Sequence, residues 1–193
     1  ESITQFIRGE KLSAEPDLLL RVLQIELLSM ISRIDAIRLE FGPESTSPPL
    51  ASQALKDGLR IAEAMLEQIE QIRKSIESDV ARAARDRTRC VVAELLLLQS
   101  KQNPTDEPLR NKATAAAEQL MKSGGDNNTR FKARSLLTEL LLADRDFDGF
   151  DLQVISLTSL AETQTQQTVL AALRIRGLLR REQPSDALQF SLD

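Results

Sequence analysis

The chain of 193 residues contains no histidine, no tryptophan and no tyrosine, and only one cysteine. Without imidazole there is no His general base, no Ser–His or Cys–His pair and no His-ligated metal. A single cysteine, Cys90, allows neither an intrachain disulfide nor a cysteine metal site. Long apolar runs are missing too. The richest, around Leu18 to Ile31, is broken by Arg21, Gln24 and Glu26, so no transmembrane segment is expected. Nor is there an excess of positive charge. The 25 Lys and Arg face 29 Asp and Glu, for a net charge of −4. Nucleic-acid binders carry a net positive footprint, and six scattered Phe do not form a base-stacking platform. These absences predict a chain without catalytic residues, without a cofactor and without nucleic acid as a partner.

What is present is leucine (32) and alanine (20), about 27% of the chain. Both are strong helix formers, whereas strands favour β-branched and aromatic residues. The composition therefore predicts an all-α fold. Glu15-Pro16-Asp17 forms a helix start, with acids at the positive end of the dipole. Leu20, Leu23, Leu27, Met30, Ile34, Ile37 and Phe41 then fall at alternating steps of three and four, a heptad seam. After Gly42-Pro43 and a Ser/Pro-rich loop, a second stripe follows: Leu55, Leu59, Ala62, Leu66, Ile69, Ile72 and Ile76. The two stripes predict a long antiparallel helical hairpin. Shorter helices are expected near 79–101, 107–122, 129–143, 149–162 and 166–181, with a further short element from Ser185. The expected division is 1–78 for the lead and long hairpin and 79–193 for stacked helices, with 184–193 as a possible start of a following domain.

An internal echo supports stacking. Arg89-Cys-Val-Val-Ala-Glu94-Leu-Leu-Leu97 matches Arg134-Ser-Leu-Leu-Thr-Glu139-Leu-Leu-Leu142 at an offset of 45 residues. Self-similarity at a fixed period marks helices that bury their faces on their neighbours. Val169 to Leu179 keeps the apolar periodicity without the Arg and Glu.

Three groups of residues are candidates for a site. Asp144-Arg-Asp146-Phe-Asp148-Gly149 reproduces the first half of an EF-hand loop, with oxygen ligands at alternate positions and then Gly. The bidentate acid due eleven residues after Asp144 is replaced by Ile155. Calcium is therefore the alternative reading, and an interhelical turn with capping aspartates the preferred one. Arg82, Arg85 and Arg89 share a helical spacing, with Arg87 offset; Arg130, Lys132 and Arg134 open a later helix; Arg174, Arg176, Arg180 and Arg181 populate another. Stacked, these could line a groove for an acidic peptide or phosphate. The preferred reading is a solvated face, with the groove as the alternative. Cys90, amid Val91, Val92, Ala93 and Leu95 to Leu98, reads as a small core residue. Asn127-Asn128-Thr129 is formally a glycosylation sequon, and Glu67, Glu70 and Glu77 read as a wet helix face.

Leu140-Leu-Leu-Ala-Asp-Arg-Asp-Phe-Asp-Gly149 and Gly177-Leu-Leu-Arg-Arg-Glu-Gln-Pro-Ser-Asp-Ala187 resemble the turns that join the two helices of a tetratricopeptide-like repeat. The resemblance covers periodicity and turns; the consensus Trp and Tyr positions are not filled. It implies an α-solenoid acting as a protein-interaction or scaffolding module with a protein or peptide partner. The stretch Arg174 to Asp193 also resembles the junction of bacterial, envelope-associated, thioredoxin-like redoxins, where a helical region leads through a short strand into the catalytic fold. Ala187-Leu-Gln-Phe-Ser-Leu-Asp193 alternates as such a strand would. That resemblance implies the helical accessory region of a thiol–disulfide oxidoreductase in the bacterial envelope, tethered to a catalytic domain beyond Asp193. No Cys-x-x-Cys is present, so it assigns no functional residue. The rival reading makes the same stretch the second helix of another repeat.

Overall fold

A computed structural model describes residues 49–75, 79–123 and 125–192; the heptad stripe from Leu20 to Phe41 lies outside them. All regular structure among the described residues is helical. The helices are α1 (Pro49–Ser75), α2 (Asp79–Gln102), α3 (Glu107–Lys122), α4 (Asn127–Ala143), α5 (Phe147–Thr158), α6 (Gln164–Arg180) and α7 (Pro184–Leu192). The all-α class follows.

Contacts divide the chain into two units, one running to Gln102 and the other from Asn103. In the first, α1 packs on α2. The buried side of α1 is carried by Leu55, Leu59, Ala62, Met65 and Ile69, a spacing of three and four that makes one helical face. Gly58 lies in this contact, and a Cβ there would stand at an ordinary packing distance, 3.5 Å, from Leu95. Helix α2 buries residues all round its axis, including Cys90 and Val91 to Leu97. Such a helix is central rather than amphipathic.

The second unit is built from hairpins. Helix α3 packs on α4, α4 on α5 and α6, α5 on α6, and α6 on α7. Its core joins Phe131 and Leu142 of α4, Phe150, Val154 and Leu157 of α5, and Leu170 and Leu173 of α6. The helix starts are chemically marked. Asp106 accepts from Leu109 N–H, Asp126 from Thr129 N–H and Asp146 from Gly149 N–H. Thr163 and Gln166 form a reciprocal capping box on α6.

The two hairpins share one plan. Asn127 to Gln164, Ala143 to Arg180 and Phe147 to Pro184 are each 37 residues apart, so α4 begins and ends in step with α6, and α5 begins in step with α7. The connecting turns also correspond. Arg145 (φ 59°) and Glu182 (φ 62°) are the positive-φ residues other than glycine among those described. Asp146 N–H donates to Leu141 C=O and Arg145 N–H to Leu142 C=O; Gln183 N–H donates to Leu178 C=O and Glu182 N–H to Leu179 C=O. Each is a Schellman motif, which turns the chain sharply and satisfies carbonyls left open at a helix end. The offset of 37 is the structural one; the sequence echo at 45 pairs a segment of α2 with one of α4, which belong to different units.

A side chain in the left-handed region is strained, and glycine is not. Arg145→Gly is therefore expected to raise stability by about 0.5–1 kcal/mol after its entropic cost. Urea denaturation checks this, with a higher midpoint at unchanged slope.

One expectation is corrected. The alternating run from Ala187 is not a strand: it lies within α7. Pro184 occupies the first turn, where its missing N–H costs nothing, and Ala187 N–H donates to Gln183 C=O at 3.1 Å. Ala187 is buried, and the Arg174 guanidinium stands 5.9 Å from the Phe190 ring centre. A spacing of three serves a helix, and so short a run does not distinguish the two periods.

Candidate functional site

The arginines come first, because the sequence made them the leading candidates. Arg82 is exposed, whereas Arg85 is buried and holds Asp86 at 2.9 Å. Arg89 is half-buried and bridges to Glu70 of α1 at 2.9 Å. Arg82, Arg85 and Arg89 therefore do not form one solvent-facing row. In the second unit Arg130 is exposed, and Arg134 donates to Gln153 Oε1 at 2.9 Å. Arg110 pairs with Asp144, Arg176 with Glu139 and Arg181 with Asp151. Arg174 donates to Thr158 Oγ1 at 2.8 Å. These residues tie neighbouring helices together. Arg181 does so most fully: its guanidinium lies 5.0 Å from the Phe147 ring centre and 5.8 Å from that of Phe150, and it donates to Phe147 C=O.

The aspartate motif is an interhelical junction. Asp144 ends α4 and holds Arg110 at 2.8 Å, Asp146 caps α5, and Asp148 is exposed in the first turn of α5. No group of three or more Cys, Asp or Glu placed to hold a metal occurs among the described residues. Gly149 does not make the sharp turn; Arg145 does. Gly149 instead sits under the Asp146 carboxylate, where a Cβ would come within 2.5 Å of Oδ2.

Around the sequon, Asn127 Nδ2 donates to Leu160 C=O at 3.5 Å, and Asn128 Oδ1 accepts from Gln166 Nε2 at 3.4 Å. Gln166 is buried, and its Oε1 also accepts from Glu162 N–H and Thr163 N–H. One amide thus joins the start of α4 to the start of α6. Gln166→Ala should cost about 1 kcal/mol, because water can reach part of what it leaves unpaired. A loss below a few tenths in urea melts would remove that role.

The surface also exposes large apolar side chains. Leu152 (65% exposed) and Ile155 (68%) lie one turn apart on α5, while Leu179 (53%) and Leu188 (64%) lie on α6 and α7. The sequence reading passed over all four. Aligning the hairpins at 37 residues would have singled out Leu179, whose counterpart Leu142 is buried in the core.

No family model, curated protein or solved structure matches the chain in comparisons with each. No helix among the described residues is long and apolar enough to cross a membrane.

Proposed function

We propose that the chain is a non-catalytic protein-interaction module whose second unit is a tetratricopeptide-like stack of helical hairpins. The observation that carries this reading is the set of exposed leucine and isoleucine side chains, one of which, Leu179, has a buried counterpart in Leu142. Large apolar side chains left exposed on helices, such as Leu152 and Ile155 one turn apart on α5, suit sites where another surface docks. The two hairpins in step, with the same turn in each, support the stacked-repeat part of the reading. Their period exceeds the tetratricopeptide period of about 34 residues, so the likeness lies in plan rather than in length. A chain without histidine, whose one cysteine is buried, suits binding better than catalysis.

Photo-crosslinking tests the proposal. A crosslinker is placed in turn at Leu152, Leu179, Leu188 and, as a control, Lys122, and the chain is incubated in extract of its source cells. Discrete adducts from the apolar sites, competed by excess unlabelled chain and not formed from Lys122, are expected. Adducts equally abundant from all four sites would overturn the reading.

A further inference from the structure

We propose that the Asp148-Gly149 peptide at the start of α5 is a site of spontaneous aspartate isomerisation whose rate is set by the Asp146 cap. An aspartyl side chain cyclises most readily when glycine follows it, because glycine has no Cβ to shield its backbone nitrogen. The chain contains two such pairs, Asp57-Gly58 and Asp148-Gly149. Their surroundings differ, and the difference assigns the reaction to the second.

Asp57-Gly58 lies well inside α1, with helix on both sides. The Asp57 carboxylate accepts from Gln53 Nε2 at 3.0 Å and stands 3.6 Å from Arg60 Nη2. An interior peptide of a helix is released only when neighbouring turns unravel with it. Asp148, by contrast, is exposed in the first turn of α5. The N–H groups of a first turn have no partner within the helix, and helix ends open at the lowest cost. Asp146 holds this one closed. Its Oδ1 accepts from Gly149 N–H at 3.0 Å, and its carbonyl accepts from Phe150 N–H at 3.0 Å. The nitrogen that would attack Asp148 is therefore the one that the cap engages.

The same cap favours the labile sequence. A Cβ at Gly149 would come within 2.5 Å of Asp146 Oδ2, so a larger residue would displace the carboxylate that caps the helix. Glycine keeps the cap seated and leaves the nitrogen unshielded whenever the turn opens.

The reaction needs only water. In the open turn, Gly149 N attacks Cγ of the Asp148 carboxylic acid and an N–Cγ bond forms. The amide hydrogen and the carboxyl hydroxyl leave as water, closing a five-membered succinimide. Water then adds to either ring carbonyl. Cleavage at Cγ restores aspartate. Cleavage at the main-chain carbonyl leaves Gly149 joined through Cγ, as isoaspartate, with an extra methylene in the backbone and a free α-carboxylate. That methylene shifts the Gly149 and Phe150 N–H groups out of step with Asp146, and Phe150 belongs to the core of the unit.

The full chain, folded at neutral pH and physiological temperature, is sampled over time and digested. Liquid chromatography with mass spectrometry then separates isoaspartyl from aspartyl forms of the Asp57 and Asp148 peptides. Isoaspartate should accumulate at Asp148 and stay at baseline at Asp57, whereas in urea the two should react alike. Asp146→Ala should speed the reaction at Asp148 about fivefold, the factor by which losing a cap favours the open turn. Asp146→Asn should behave as the parent chain does, since asparagine caps equally well. Gln166→Ala, which weakens the same unit by a comparable amount elsewhere, should leave the rate within about twofold. The proposal falls if Asp57 keeps pace with Asp148 in the folded chain, if the two differ as much in urea, or if Asp146→Ala brings no acceleration. It falls equally if Asp146→Asn reacts as fast as Asp146→Ala, or if Gln166→Ala does, since general unfolding and not the cap then sets the rate.

Discussion

Leu173→Ala is expected to destabilise the second unit by about 3 kcal/mol or more. Leu173 is fully buried, and its neighbours in the core come from three helices, α4, α5 and α6. Removing its isobutyl group loses the transfer energy and leaves a cavity whose walls are aromatic and aliphatic side chains held by separate elements. Such walls collapse poorly, which places the cost above the lower end of the Leu-to-Ala range of about 2–5 kcal/mol. Each kcal/mol corresponds to roughly 4–8 °C in a domain of this size, so the melting temperature should fall by well over 10 °C. Leu188→Ala is the matched control, the same chemical change at an exposed site, and should stay within about 0.5 kcal/mol. Urea denaturation of both variants settles the comparison. Equal effects would mean that the core does not centre where Leu173 sits.

Gly177→Val is expected to cost about 3 kcal/mol, although valine is the better helix former. A Cβ at Gly177 would lie 2.7 Å from two carbons of the Phe150 ring. Phe150 is itself buried, so the ring has little room to yield. Helix propensity offers less than 1 kcal/mol in return. Steric overlap therefore decides the sign. The double variant Gly177→Val with Phe150→Leu should recover at least about 1 kcal/mol relative to the sum of the single changes, the coupling expected of two residues in contact. Additive behaviour in a double-mutant cycle would show that the two residues do not press on each other.

The helix boundaries were largely legible because their chemistry is local. Asp106 caps α3, Pro184 opens α7, and Asn103-Pro104 interrupts the chain. Asp144 and Asp146 lie at the turn expected of them, since Asp146 needs only its own downstream N–H to act as a cap, while Asp148 is already in α5. The period of the second unit was not legible. Identical Arg, Glu and Leu letters favoured an offset of 45, whereas the backbone keeps a step of 37 that equivalent residues barely share: Phe131 answers to Thr168, and Glu139 to Arg176. Turn geometry carries the step, and the positive-φ residues, Arg145 and Glu182, are not the glycines that usually announce it. The burial of individual arginines was not legible for a related reason. Spacing puts Arg82, Arg85 and Arg89 on neighbouring positions, but only packing distinguishes Arg85, buried beside Asp86, from Arg82 at the surface.

The 37-residue step has a consequence for how such a chain can change length. A single residue inserted within α6 would rotate everything after it by about 100° around the helix axis. Arg181 would swing away from Phe147, Phe150 and Asp151 together. Insertion of a complete hairpin between existing ones, turn included, leaves the register within each helix unchanged. Length in this unit is therefore effectively quantised: growth or shrinkage by complete hairpins keeps the buried stripe of each helix in one piece.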